Sequence, residues 1–156
     1  MIKLTIIIPV YNEIKTIEKL IKKILKINIK KQLIIVDDGS SDGTEQILKK
    51  YKSRIDKLIF HKKNCGKGAA IKSGQKYVRG KYIAIQDADL EYDPRDLKKI
   101  VNEMSKKNIK VMYGSRVLKK NKFKNTQNFT HIVRIWGNVF LTKASNFLNR
   151  QKLTDA

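Results

Sequence analysis

The 156 residues include a single cysteine, Cys65, so no intramolecular disulfide can form and a reducing, cytoplasmic setting is expected. A lone cysteine with no convincing base nearby is a poor nucleophile, and Cys65 reads as an ordinary loop residue. With two prolines and eight glycines the chain is neither collagen-like nor low in complexity. No period of roughly 20–50 residues repeats, which excludes a solenoid. No apolar run approaches the roughly 20 residues that a membrane-spanning helix needs. Met1-Ile2-Lys3 followed by Leu4 to Val10 has a superficial likeness to a signal peptide. That run is short, meets Asn12 and Glu13 and lacks a small-residue cleavage site, so it predicts a strand. Acidic residues are scarce: 14 Asp and Glu face 35 Lys and Arg, and 35 − 14 gives +21. None lies between Glu103 and Asp155, an interval holding twelve Lys and Arg. Such a surface attracts nucleic acid, an anionic membrane leaflet or a phosphorylated substrate. At 41% hydrophobic and 31% charged, the length and composition fit one globular domain.

Leu4 to Pro9 is apolar and rich in β-branched residues, as in a strand buried on both faces. Ile14, Ile17, Leu20, Ile21, Ile24 and Leu25 then recur at helical spacing with lysines between them, which predicts an amphipathic helix. Leu33 to Val36 reads as a second strand, ending in Asp37-Asp38-Gly39-Ser40. Ser41 or Asp42 is expected to cap the next helix, with Glu45 completing a capping box. Leu58 to Phe60 predicts a third strand, Ala69 to about Val78 a helix behind the Gly66 turn, and Tyr82 to Gln86 a fourth strand. Asp93 and Pro94 are expected to cap and open a helix running to about Lys106, and Val111 to Tyr113 to form a fifth strand. A basic loop over 119–128 and a last helix from Phe129 to Leu148, apolar enough for a core or a membrane interface, complete the pattern. Alternation of this kind predicts an α/β fold: an open, mostly parallel sheet with helices on both faces and ligands bound at the carboxyl ends of the strands.

Those ends carry the polar chemistry. Asp87, Asp89 and Glu91 alternate after a buried strand; in extended chain they would point to one side, a crowd of hard oxygen ligands suited to Mg²⁺ or Mn²⁺ on a diphosphate. Gly66-Lys67-Gly68 at a helix start would let backbone N–H groups approach a phosphate, with Lys67 adding charge. It is not a P-loop, and no G-x-G-x-x-G follows the first strand. His61 and His131 lack the spacing of a zinc site and read as bystanders.

Taken in order, Pro9-Val10-Tyr11-Asn12-Glu13, Val36-Asp37-Asp38-Gly39-Ser40 with Asp42-Gly43-Thr44, Gly66-Lys67-Gly68, Asp87-Ala88-Asp89 and Gly114-Ser115-Arg116 resemble glycosyltransferase family 2, in its dolichyl- or polyprenyl-phosphate mannose/glucose synthase branch. The likeness extends more loosely through Gly137-Asn138 and Leu153-Thr154-Asp155. It implies a GT-A fold over residues 1–156, a single domain lacking its C-terminal part, because relatives continue with further acceptor-side elements. It further implies that Pro9, Tyr11 and Glu13 border base and ribose and that Asp38 hydrogen-bonds the base. Asp87 would lie near ribose or sugar, and Asp89, helped by Glu91, would hold the metal; relatives often have Gln at the position of Glu91. Ser115 and Arg116 match the acceptor-phosphate motif, and Arg134 would be a second phosphate clamp; Asp87, Asp89 and Arg116 would carry catalysis.

The activity so implied is metal-dependent, inverting transfer of mannose or glucose from GDP-mannose or UDP-glucose to a polyprenyl phosphate, by a protein peripheral to the cytoplasmic membrane face. An ionised lipid phosphate attacks without the general base that an alcohol requires. The alternatives are a family 2 enzyme acting on a saccharide hydroxyl, an inactive fragment that still binds sugar nucleotide, and a basic nucleic-acid-binding module. The last leaves the strand-end carboxylates unexplained and has no interleaved aromatics, so no nucleic acid is expected.

Overall fold

The computed structural model describes residues 1–112. Within it Met1–Lys110 form one compact unit. Strands β1 (Leu4–Val10), β2 (Lys31–Asp37), β3 (Lys57–Phe60) and β4 (Tyr82–Ile85) alternate with helices α1 (Ile17–Leu25), α2 (Thr44–Lys50), α3 (Lys67–Gln75) and α4 (Asp96–Lys107), and a short 3₁₀ turn, Lys52–Arg54, follows α2. The strands form one sheet in the order β3-β2-β1-β4, with every pairing parallel. Ile6 pairs with Leu33 on one side and with Ala84 on the other.

The direction of winding decides which face each helix covers. From β1 through β3 the chain moves one way across the sheet, then steps back past β1 to β4; right-handed crossovers place the returning helix on the opposite face. The packing agrees. Ile6, Ile8, Leu33 and Ile35 share a core with Ile17, Leu20, Ile21 and Ile24 of α1, Leu48 of α2, and Leu97 and Val101 of α4. On the other face Ile7, Ile34 and Val36 pack with Ala70 of α3. A Cβ at Gly74 would stand 2.9 Å from Ile7 Cγ2, so a residue without a side chain is what lets α3 lie this close to the sheet. Each isoleucine or leucine so buried contributes about 1.5–3 kcal/mol relative to exposure.

The element ends differ from the sequence expectations for local reasons. α1 starts at Ile17 rather than near Ile14 because Asn12 to Lys15 serve the loop: the Asn12 N–H donates to Ser40 Oγ and the Ile14 N–H to Asp42 Oδ2. Asp42 does accept the Thr44 N–H at 3.0 Å, yet Gly43 occupies the cap position, and Glu45 pairs with Lys49 instead of closing a capping box. Asp93 and Pro94 do not open α4. Asp93 clamps Arg95 through its backbone N–H and guanidinium, and the helix begins at Asp96. α3 begins at Lys67, two residues early, and closes at Gln75. Val111 and Met112 are not a strand, and Tyr113, the loop over 119–128 and the helix expected from 129 to 148 lie outside the described residues.

Candidate functional site

At the carboxyl edge, where the winding reverses between β1 and β4, lies a cleft of about 360 Å³. β1 and the loop after it supply Pro9, Val10, Tyr11 and Glu13; β2 supplies Asp38 just past its end; the turn into α3 supplies Asn64, Gly66, Lys67 and Ala70; the segment after β4 supplies Asp87, Ala88 and Asp89. The sequence motifs are thus brought to one cavity, Gly68 and Glu91 excepted: neither is among its lining residues. Ser115, Arg116 and Arg134 lie outside the described residues.

The loops that carry these groups are stapled to one another. Asn12 takes a left-handed backbone, φ 54°, which asparagine tolerates better than most residues, and its side-chain oxygen accepts the Ser41 N–H at 2.9 Å. The Glu13 N–H donates to Thr44 Oγ1 at 2.9 Å, and the Thr16 hydroxyl donates to the Glu13 carboxylate. Gly66 adopts φ 90°, a conformation costly for any residue with a Cβ, and this sharp turn delivers the N-terminus of α3 to the cleft.

Asp38 is the most heavily engaged group. Its Oδ1 accepts the Cys65 N–H at 3.0 Å and faces His61 Nδ1 at 2.6 Å, while Oδ2 accepts the Gly66 N–H at 2.7 Å. Burial pushes its pKa up, but the His61, Cys65 and Gly66 hydrogen bonds together outweigh that and hold it below the ordinary value. It therefore stays ionised and accepts only. Its neighbour Asp37 goes the other way: burial raises it despite the Ser40 hydrogen bonds. His61, read from sequence as a bystander, is corrected here. Its Nε2 lies 2.9 Å from Ser73 Oγ on α3, so the ring bridges Asp38 to the helix. Asp38 and His61 are 23 residues apart and no local pattern links them. The Cys65 thiol is exposed and donates to the Lys63 carbonyl; only its backbone serves the site.

The carboxylates after β4 do not fan to one side as expected for extended chain. Leu90 has φ 65°, the segment turns, and the Glu91 N–H donates to Asp89 Oδ1 at 2.9 Å. Asp87 and Asp89 reach the cleft, and Lys67 Nζ spans it to Asp87 Oδ1 at 2.6 Å. Two hard oxygen donors beside space for a diphosphate fit Mg²⁺ or Mn²⁺, which take one or two carboxylates and fill the remaining positions with phosphate oxygens and water. Among the described residues the three potential ligand atoms within 4.8 Å of one another belong instead to Asp38, His61 and Cys65. There the carboxylate already receives two backbone N–H groups and faces the ring nitrogen, so that trio is a hydrogen-bond network.

Residues 5–156 match the family described as Glycosyl transferase family 2, and the chain belongs to it. It is 30% identical over 122 residues to dodecaprenyl-phosphate galacturonate synthase of Rhizobium johnstonii, covering 74% of this chain and 36% of that protein. It is 34% identical over 133 residues to dolichyl-phosphate beta-glucosyltransferase of Dictyostelium discoideum, covering 74% and 40%. Among solved structures, the mannosyltransferase PcManGT of Pyrobaculum calidifontis, in complex with GDP-Man and Mn²⁺, superposes with a TM-score of 0.56 at 26% identity, over 64% of this chain and 30% of that one. The sheet with helices on both faces is the GT-A fold that such neighbours share. The chain spans less than half the length of these two curated relatives.

Proposed function

We propose that this chain supplies the donor site of an inverting glycosyltransferase that moves mannose or glucose from a nucleotide-diphospho-sugar to a polyprenyl phosphate. The observation that carries the reading is the cleft itself: a buried acceptor-only carboxylate, Asp38, at one side, and Lys67, Asp87 and Asp89 at another, joined by the glycine turn before α3. The names of the two curated relatives, both transferases of polyprenyl-type phosphates, support the acceptor class.

Each part has a chemical task. Oδ2 of Asp38 retains a lone pair beyond the Gly66 bond, and an ionised acceptor favours a base edge that presents N–H, as uracil and guanine do. Tyr11, half-exposed at the cleft, offers a ring face for the base. Lys67, now paired with Asp87, is close enough to exchange that partner for a diphosphate oxygen. Asp89, with Asp87 beside it, would hold a divalent cation, which supplies charge stabilisation to the departing diphosphate.

In the transfer an oxygen of the acceptor phosphate bonds to the anomeric carbon while the bond from that carbon to the β-phosphate oxygen breaks. The electron pair leaves with the nucleoside diphosphate, and the anomeric configuration inverts. The chain's own contribution is position and electrostatics rather than covalent chemistry. Ser115, Arg116 and Arg134 would hold the acceptor phosphate.

Calorimetric titration of UDP-glucose and GDP-mannose, with Mn²⁺ and then with EDTA, tests the donor half. Metal-dependent binding of one donor, weakened at least tenfold in Asp89→Ala, is the expected result. Transfer of radiolabelled sugar to a polyprenyl phosphate tests the acceptor half. Donor binding with no glycolipid product would discard the acceptor assignment, and binding of neither nucleotide would discard the whole reading.

A further inference from the structure

We propose that His61 is a positioning residue for donor binding, holding Asp38 and through it the Cys65–Gly66 turn in the shape that receives the nucleotide; this rests on the donor-site reading above.

Asp38 is nearly buried, with its side chain 4% exposed, and His61 covers it at 15%. An ionised carboxylate only accepts, so Nδ1 of His61 carries the hydrogen that lies between them at 2.6 Å. The far side of the ring is fixed by Ser73 at 2.9 Å, and Ser73 belongs to the same helix whose N-terminus opens on the cleft. The His61 backbone is tied as well, its N–H donating to the Asp37 carbonyl at 2.8 Å at the end of the β2–β3 ladder. His61 therefore connects three things: the end of the sheet, the buried carboxylate and α3.

Removing the ring leaves Asp38 buried with two backbone N–H groups as its remaining partners. The carboxylate must then turn toward water or take up a proton, and either response weakens its hold on the turn: the Cys65 N–H loses its acceptor's full charge, and the Gly66 N–H is left leaning on Asn64 Oδ1 at 3.0 Å. The turn before α3 loses its anchor, and with it the alignment of Gly66 and Lys67 to the cleft.

Three substitutions separate this role from simple packing. Asn at 61 places an amide N–H where Nδ1 stands, Gln reaches only toward the Nε2 position, and Leu offers neither. The test titrates UDP and GDP with Mg²⁺ into wild type, His61→Asn, His61→Gln and His61→Leu. Hydrogen exchange of the Cys65 and Gly66 amides and melting temperature are followed in each. The expected result is nucleotide affinity near wild type in the Asn variant and about tenfold or more weaker in the Gln and Leu variants, with faster exchange at Cys65 in those two. Should Leu fail to fold, Asn against Gln still decides. Equal affinity in all three variants, or weakening with Cys65 protection unchanged, overturns the proposal. Wild type that binds neither nucleotide overturns the donor-site reading and this role with it, a result distinct from a wild type that binds and variants that match it.

Discussion

The pair Asp37 and Asp38 shows how much one residue step changes at a strand end. Asp38 gains more from its N–H donors than burial costs it, so its folded pKa lies below the ordinary 3.8. Its contribution to stability is fully present above that value and is lost as pH falls through the folded one. Asp38→Asn is therefore expected to unfold more easily than wild type at neutral pH, with the gap closing below about pH 3.8; urea unfolding between pH 2.5 and 7 measures it. Asp37 is raised by burial, which reverses the sign: its ionised form costs stability at neutral pH and the cost fades on acidification. Asp37→Asn, which keeps an oxygen for the Ser40 N–H, should be no less stable than wild type at pH 7. At the opposite end of the sheet Thr5 donates to Gln32 at 2.8 Å and accepts the Gly80 N–H at 2.9 Å, while Gln32 accepts the Arg79 N–H and donates to the Tyr77 carbonyl. Thr5→Val takes the acceptor from the Gly80 N–H, while Gln32 keeps the Arg79 N–H, and should cost about 1–3 kcal/mol in urea unfolding with nucleotide affinity unchanged. A loss of affinity instead would mean that the two ends of the sheet are coupled.

At the scale of elements, periodicity carried most of the architecture. The apolar run at Leu4–Val10, the lysine-spaced isoleucines of α1 and the alternation that follows foretold parallel strands with helices on both faces, as found. Capping patterns did worse because side chains that looked like caps were drawn into other contacts: Asp42 serves the loop after β1, and Asp93 turns to Arg95. The gathering of Glu13, Asp38, Lys67, Asp87 and Asp89 was legible because each follows or nearly follows a strand, and parallel strands bring their ends together. The His61–Asp38–Ser73 bridge was not, since it depends on tertiary distance alone. The two glycines of α3 give the helix opposite tolerances. A methyl at Gly74 meets Ile7 at 2.9 Å and Val36 at 3.3 Å, so Gly74→Ala should cost about 1–3 kcal/mol and displace α3 from the sheet. At Gly68 a methyl meets nothing within 4 Å, and Gly68→Ala should gain up to about 1 kcal/mol from helix propensity. Melting and nucleotide titration of both variants check this. A Gly68→Ala protein that is more stable yet binds weakly would give Gly68 a part in phosphate approach that the cleft's lining does not require.

For the molecule as a whole the dominant quantity is the charge of +21, and its arrangement on α1 is specific. Lys15, Lys19, Lys22, Lys23 and Lys26 line a shallow groove on the solvent side of that helix, opposite the buried Ile17, Leu20, Ile21 and Ile24. Glu18 neutralises Lys22 at 2.8 Å, which leaves four lysines for an external anion. The row begins two residues from Glu13, at the cleft, so a surface that binds it also lies near the site where the proposed lipid-borne phosphate would arrive. Among the described residues no helix is long and apolar enough to cross a membrane, and attachment through charge needs none. The protein should therefore sediment with vesicles containing phosphatidylglycerol and not with neutral phosphatidylcholine, and should release as salt is raised across the range where the Debye length shrinks below about 10 Å. Replacing Lys15, Lys19, Lys23 and Lys26 by Gln should weaken that binding by about 1 kcal/mol per lysine near the surface. Nucleotide affinity, set by the cleft, should stay unchanged. Vesicle binding indifferent to lipid charge would refute attachment by this helix. Tighter, equally salt-sensitive binding to nucleic acid, unaffected by Asp89→Ala, would move the whole basic surface to a different partner.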